Sequence, residues 1–192
     1  RMAGEHLLTL VNDLLDHSRI EAGKVELHEV DVDVRAVVRR VGRMMEDLAN
    51  SRGLALEIHV DEDLPRLRAD ERLVRQVLLN LLSNAVKFTE KSGRIEVVGR
   101  LEPDGRIALV VADTGIGMDR ADISRAMEPF VQLNDRYDKS YGGTGLGLPL
   151  VKSMVRLHGG TLTIDSIKGH GTTVSVRFPE DRTLRPATEA AE

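Results

Sequence analysis

Between Glu5 and Ala22 the apolar residues Leu7, Leu8, Leu10, Val11, Leu14, Leu15 and Ile20 recur at helical spacing, a stripe of the coiled-coil kind that Gly23 is placed to end. A stripe this apolar has to be buried. A bundle with a second copy of the chain accounts for it better than packing on its own domain. Lys24 to Val34 alternates and reads as a strand or extended link. The spacing then predicts a helix over 34–51, with Val37, Val38, Val41, Met44, Met45 and Leu48 inward and Gly53 beyond its end. Leu54 to Val60 alternates as a strand, and Pro65 to Ala69 is a short extended piece. Asp70 is placed to cap a long helix running to Phe88. Strands at 94–101 and 106–112 flank the turn Pro103-Asp104-Gly105. Asp119 is placed to cap a short helix, 132–143 reads as a mobile polar loop, and a helix from Gly147 to His158 closes at Gly159-Gly160. Strands at 161–166 and 172–178 form a last hairpin, and the charged tail after Pro179 is expected to be disordered. This order predicts a two-layer α+β sandwich, a mixed sheet with helices over one face.

Composition narrows the partners. The 192 residues carry a net charge of −4, three Phe, two Tyr and no Trp, so the basic stripe and stacking aromatics of a nucleic-acid binder are missing. Zero cysteines exclude disulfides, thiol catalysis and thiolate metal sites. No apolar run approaches the roughly 20 residues of a membrane-spanning helix, and no membrane contact is expected of this segment. The start at Arg1-Met2-Ala3-Gly4 has no leader pattern and reads as an excised fragment.

Four blocks carry chemistry. Asn80, Asn84 and Lys87 share one face of the long helix, at the border of its apolar side. An amide oxygen suits Mg²⁺, a hard cation that takes its other ligands from water and phosphate, and Lys87 offers a point charge to a phosphate. A wet helix face would carry the same residues. Asp113 closes a strand apolar on both sides, so its carboxylate must find donors or bear a desolvation cost of several kcal/mol, order of magnitude. Adenine's exocyclic amine is such a donor, whereas guanine presents a carbonyl there. Gly115 and Gly117 leave room for a flat ring beside the backbone. A structural cap for the next helix is the competing reading of Asp113. Gly142-Gly143-Thr144-Gly145-Leu146-Gly147-Leu148 opens a helix whose free N–H groups suit phosphate, without the spacing of the dinucleotide fingerprint or the Lys-Ser/Thr of a Walker A loop. Glu128-Pro129-Phe130 restricts one end of the preceding loop, with Phe130 read first as core and second as a lid anchor. The six histidines lack metal-ligand spacing, and His17 reads as a helix-surface residue.

In this order the blocks resemble the N, G1, F and G2 boxes of bacterial sensor histidine kinases, within the gyrase/Hsp90/histidine kinase/MutL superfamily. Leu7 to Lys24 is similar to the second helix of that family's dimerisation domain. The resemblance implies a Bergerat-type ATP-binding fold and a domain plan of 1–23 dimerisation helix, 24–30 linker, 31–180 catalytic domain and 181–192 disordered tail. It implies Asn84 as the Mg²⁺ ligand, Asn80 beside metal and phosphates, Lys87 on a phosphate and Phe88 beside adenine. Asp113 becomes the adenine reader with Gly115 and Gly117 next to the base. Lys139, Gly143, Thr144, Gly145, Leu146, Gly147 and Leu148 become the ATP lid and phosphate cradle, and Thr172 shares a water with Asp113 and adenine. The implied activity is two-component signalling: Mg²⁺–ATP donates its γ-phosphoryl group to a histidine in a homodimer, and a response-regulator receiver domain takes it onward in the cytoplasm. The alternative is a nucleotide-binding regulatory module without transfer. This sequence departs from the family pattern in three places. Lys139-Ser140 stands where Arg-Lys is frequent, Pro149 follows the last glycine block, and no His-Glu/Asp-x-x-x-Pro segment is present, so no catalytic residue is assigned within this chain.

Overall fold

The computed structural model describes residues 25–133 and 144–184, together with Leu14, Leu15, Ser18 and Gly23. The expected dimerisation helix and most of the polar loop, with Lys139 and Gly143, therefore lie outside the described residues.

Helix α1 (Val34–Ser51) starts where the Asp33 carboxylate accepts the Ala36 N–H at 3.1 Å. It buries Val34, Val37, Val38, Val41, Met45 and Ala49, a single stripe at helical spacing. Met44 and Leu48, expected inward, are 59% and 43% exposed. Each lies three residues after a buried one, about 60° off the stripe at 100° per residue, and so beyond the edge of the packing surface.

Helix α2 (Glu71–Phe88) is capped as predicted, with Asp70 Oδ1 accepting the Arg72 N–H at 3.0 Å. Strands β2 (Ala55–Val60), β4 (Arg94–Leu101), β5 (Ile107–Asp113), β6 (Thr161–Ile167) and β7 (Gly171–Phe178) form a five-stranded sheet in the order β2-β4-β5-β7-β6. Only the β2–β4 pair is parallel; the others are antiparallel. Helices α1, α2 and α4 (Gly147–Leu157) cover one face, and the core between the layers runs from Val37 and Leu78 to Ile95, Leu109, Val151 and Phe178. The fold is the anticipated two-layer α+β sandwich over a mixed sheet.

A second, three-stranded sheet joins β1 (Val30–Val32), β3 (Arg66–Ala69) and β8 (Thr183–Leu184). Disorder expected from residue 181 therefore does not begin there: a 3₁₀ turn at Glu180–Arg182 leads into β8, which pairs Leu67 with Thr183. Arg182 fixes this end, reaching Glu29 at 2.7 Å and the Arg68 carbonyl at 2.9 Å. Polar composition misleads here because the backbone ladder of β8 and the charged head of Arg182, not apolar side chains, make the contact. Helix α3 (Arg120–Ala126) also departs from expectation. Its N-cap residue, Asp119, makes no capping hydrogen bond and pairs with Lys168 at 2.6 Å instead.

Candidate functional site

The site forms at one end of the sheet, where β5 and β7 run past the helices. Register sets its first row: Asp113 of β5 stands opposite Thr172 of β7, which stands opposite Ser166 of β6. Asp113 shares strand parity with the buried Ile107, Leu109 and Val111, so the row lies on the helix-covered face. Asp113 Oδ1 accepts the N–H groups of Gly115 at 2.8 Å and Thr172 at 3.3 Å. Its Oδ2 has no donor among the described residues. Burial pushes the carboxyl above its ordinary range, and the two backbone N–H groups only partly counter that. It does not cap α3, whose N-cap residue is Asp119; its Oδ1 instead ties the Gly115 loop to the start of β7.

The Gly115–Gly117 loop is pinned between α2 and the β6–β7 hairpin. Ile116 N–H donates to the Phe88 carbonyl at 3.1 Å, and Met118 N–H donates to Ser166 Oγ at 2.8 Å. A side chain at Gly115 would overlap the Phe88 carbonyl and stand 2.8 Å from Asp113 Oδ1. Gly117 has a φ of +60°, and a Cβ there would overlap the Ile167 carbonyl oxygen. Only glycine keeps this loop flat against the carboxylate.

The second row lies on α2. Asn80 and Asn84 are half-buried one turn apart, and the Asn80 Nδ2 is buried with no hydrogen-bond partner among the described residues. An orphaned buried donor costs about 1–3 kcal/mol, which an anionic oxygen can recover. Lys87 lies half-buried with its Nζ 4.5 Å from the centre of the Phe88 ring, and burial lowers its pKa.

The third part is the start of α4. A Cβ on Gly147 would stand 3.3 Å from the Asn84 amide nitrogen, so the first residue of α4 lies over that amide. Among the described residues no side chain caps α4, leaving the first-turn N–H groups of Gly147 and Leu148 for an anion. Thr144 Oγ1 accepts the Leu146 N–H at 3.1 Å, Leu146 is fully buried, and Leu148 packs against the core. Pro149 is buried in the first turn, where its missing N–H leaves no broken bond. Phe130 is not core: its side chain is 58% exposed. Its backbone N–H instead donates to the Gly145 carbonyl at 3.1 Å and closes the base of the loop that follows.

Asn80, Asn84, Lys87, Phe88, Asp113, Gly115, Gly117, Gly147 and Thr172 thus gather along one rim at this end of the sheet, with the short Thr144–Leu146 turn beside them. Two residues escaped the sequence reading. Ser166 belongs to no motif and is signalled only by its strand register with Thr172. His158, weighed solely as a metal ligand, is 1% exposed. Its Nδ1–H donates to the Met154 carbonyl at 2.8 Å and its Nε2 accepts the Asp70 N–H at 3.1 Å, so the neutral ring ties the end of α4 to the start of α2. Burial holds its pKa below the ordinary histidine value.

Comparisons with known proteins agree with this fold. The family described as Histidine kinase-, DNA gyrase B-, and HSP90-like ATPase matches residues 69–182, more than half of the chain. The chain is 44% identical over 180 residues to the Non-motile and phage-resistance protein of Caulobacter vibrioides, covering 92% of this chain and 21% of that protein. It is 40% identical over 190 residues to the Cell-division control histidine kinase PdhS of Brucella anthropi, covering 95% and 18% respectively. The chain therefore spans about a fifth of the length of these two relatives. Among solved structures, full-length ShkA in complex with AMPPNP superposes with a TM-score of 0.86 at 35% identity, covering 97% of this chain and 38% of that one. The histidine kinase AdeS of Acinetobacter baumannii, 24% identical, shares the fold with a TM-score of 0.76 over 92% of this chain and 80% of its own. The chain belongs to the histidine kinase-, DNA gyrase B- and HSP90-like ATPase family and carries an ATP-binding catalytic domain of the histidine kinase type.

Proposed function

We propose that the chain binds Mg²⁺–ATP at this rim and passes the γ-phosphoryl group to a histidine on a dimerisation helix. The observation that carries the reading is a half-buried carboxylate, Asp113, with one oxygen unpartnered among the described residues, on the same rim as the start of α4 over Asn84. Asp113 Oδ2 would accept the adenine amine, with Gly115 and Gly117 against the ring and Phe88 beside it. Thr172 would complete the base end. First-turn N–H groups of α4, the Thr144–Leu148 segment, Lys87 and Asn80 would hold the phosphates, with Lys139 and Gly143 supplied by the lid. Asn84 Oδ1 would hold Mg²⁺, which would neutralise charge on the phosphates. The donor set fits that ion: an amide oxygen is a hard ligand, and a single protein ligand is usual where phosphates supply the rest.

Transfer of this kind depends on positioning and charge neutralisation more than on covalent chemistry by the protein. Four residues before Asn84 the chain carries Asn80, and an amide cannot take a proton from water. The bound nucleotide would accordingly wait for an imidazole instead of being hydrolysed. A homodimer through the 1–23 helix, a receiver-domain partner and a cytoplasmic setting belong to the same proposal. The intact polar set disfavours a module without transfer.

Calorimetric titration of the 192-residue chain with ATP, with and without Mg²⁺, tests the reading. Saturable, Mg²⁺-dependent binding with slow steady turnover supports it. No binding, or rapid sustained hydrolysis, overturns it.

A further inference from the structure

Ser166 has no place in the reading above, yet its hydroxyl is the most fully engaged group on the rim. Ser166 Oγ lies 2.8 Å from the Met118 backbone nitrogen, 3.0 Å from the Gly171 carbonyl oxygen and 2.9 Å from Thr172 Oγ1. A serine hydroxyl has one proton and two lone pairs. The Gly171 carbonyl has no proton, so it takes the one from Ser166. The Met118 N–H can only donate and occupies one lone pair. The remaining lone pair faces Thr172, whose hydroxyl must therefore donate to Ser166. Every valence of Ser166 Oγ is then filled, and the Thr172 proton points away from the pocket.

Consequently Thr172 Oγ1 can offer the pocket only lone pairs, and Asp113 Oδ2 offers the same. The base end becomes an edge of acceptors alone, which suits an exocyclic amine with two protons and opposes an exocyclic oxygen.

We propose that Ser166 is a positioning residue for base selectivity: it fixes the direction of the Thr172 hydroxyl and thereby excludes 6-oxopurine nucleotides. The inference rests on the nucleotide reading of the rim.

Mg²⁺–ITP is the probe, because inosine replaces adenine's 6-amine with an oxygen, turns N1 from an acceptor into a donor and carries no further exocyclic group. Titrating the chain with Mg²⁺–ATP and Mg²⁺–ITP yields the ratio of the two dissociation constants. In Ser166→Ala the Thr172 hydroxyl is released and can turn to donate to the 6-oxygen, so the preference for ATP should fall by about tenfold, the worth of one hydrogen bond. A purely structural loss, from freeing Met118 and Gly171, would weaken both ligands alike and leave the ratio unmoved. Ser166→Thr, which keeps the hydroxyl, should restore the ratio. In a Thr172→Val background Ser166→Ala should no longer change it, since no hydroxyl remains to be directed. Should Ser166→Ala fail to fold, Ser166→Cys fills the site with a slightly larger side chain that is a poor acceptor and gives the same readout. An unmoved ratio with ATP binding intact overturns this inference alone, as does an equal shift in the Thr172→Val background. Absence of ATP binding by the parent chain overturns the nucleotide reading and this inference together.

Discussion

Replacing Asp113 by asparagine separates what the site needs from what the fold prefers. Both local donors, the N–H groups of Gly115 and Thr172, converge on Oδ1, so only the amide oxygen can take that position. The Nδ2 must then stand where Oδ2 stood and present protons to the adenine amine. One charge-assisted hydrogen bond is lost, worth about 1.5–3 kcal/mol, or roughly 10- to 150-fold in affinity, before any donor–donor repulsion. Stability should move the other way. Burial raises the Asp113 pKa, so the folded chain holds this proton more tightly than the unfolded chain. As pH rises from the unfolded value near about 4 through the raised folded value, the native state loses stability, and above that range the loss is complete. A neutral amide at this position carries no such loss. Without nucleotide, Asp113→Asn should melt above the parent at pH 7, with the gap closing on acidification below about pH 4. Calorimetry with Mg²⁺–ATP and thermal melts across pH check the two halves. Affinity within twofold of the parent would remove Asp113 from the base end. A melting difference independent of pH would show that burial of the charge is not what the substitution relieves.

Other perturbations act on single parts of the rim. Asn84→Ala should abolish the rise in melting temperature that Mg²⁺–ATP produces while leaving the nucleotide-free melt nearly unchanged; a preserved shift would exclude Asn84 as the metal ligand. Gly117→Ala places a side chain at a φ of +60° against the Ile167 carbonyl, so strain of about 1–2 kcal/mol plus displacement of the loop should lower both stability and ATP affinity. Melts and titration read the two effects. The depressed pKa of His158 means that the unfolded chain binds its proton more readily. The stability from the neutral ring should therefore be complete above about pH 6.5 and be lost as pH falls below it, a slope in urea midpoints that His158→Gln should flatten. Deleting residues 180–192 removes β8 and the Arg182–Glu29 pair and should lower the melting temperature, which thermal melts read directly.

Much of this was written locally. Apolar periodicity placed α1 at about 34–51, and Asp70, read as a cap, placed the start of α2 at Glu71; the matching cap Asp33 of α1 shows only in the fold. Alternation placed β4, β5, β6 and β7 within a residue or so, and the glycine spacing marked the segments that approach another backbone. The resemblance of the four blocks selected the rim residues. These are properties of neighbours along the chain, where spacing alone sets which side chains share a face. Tertiary structure decided the rest. Met44 and Leu48 are exposed because the width of the packing surface, not the helix's own pattern, sets which apolar residues it covers. Residues 180–184 are ordered because β3 leaves an edge for them, and a backbone edge has no signature in side-chain composition. His158 links two helices that are far apart in sequence. Ser166 meets Met118 and Thr172 only once a hairpin has folded against a loop, and the direction of a hydroxyl proton depends on all three of its neighbours at once. A sequence lists which groups are able to donate and accept; the folded sheet determines which of them must.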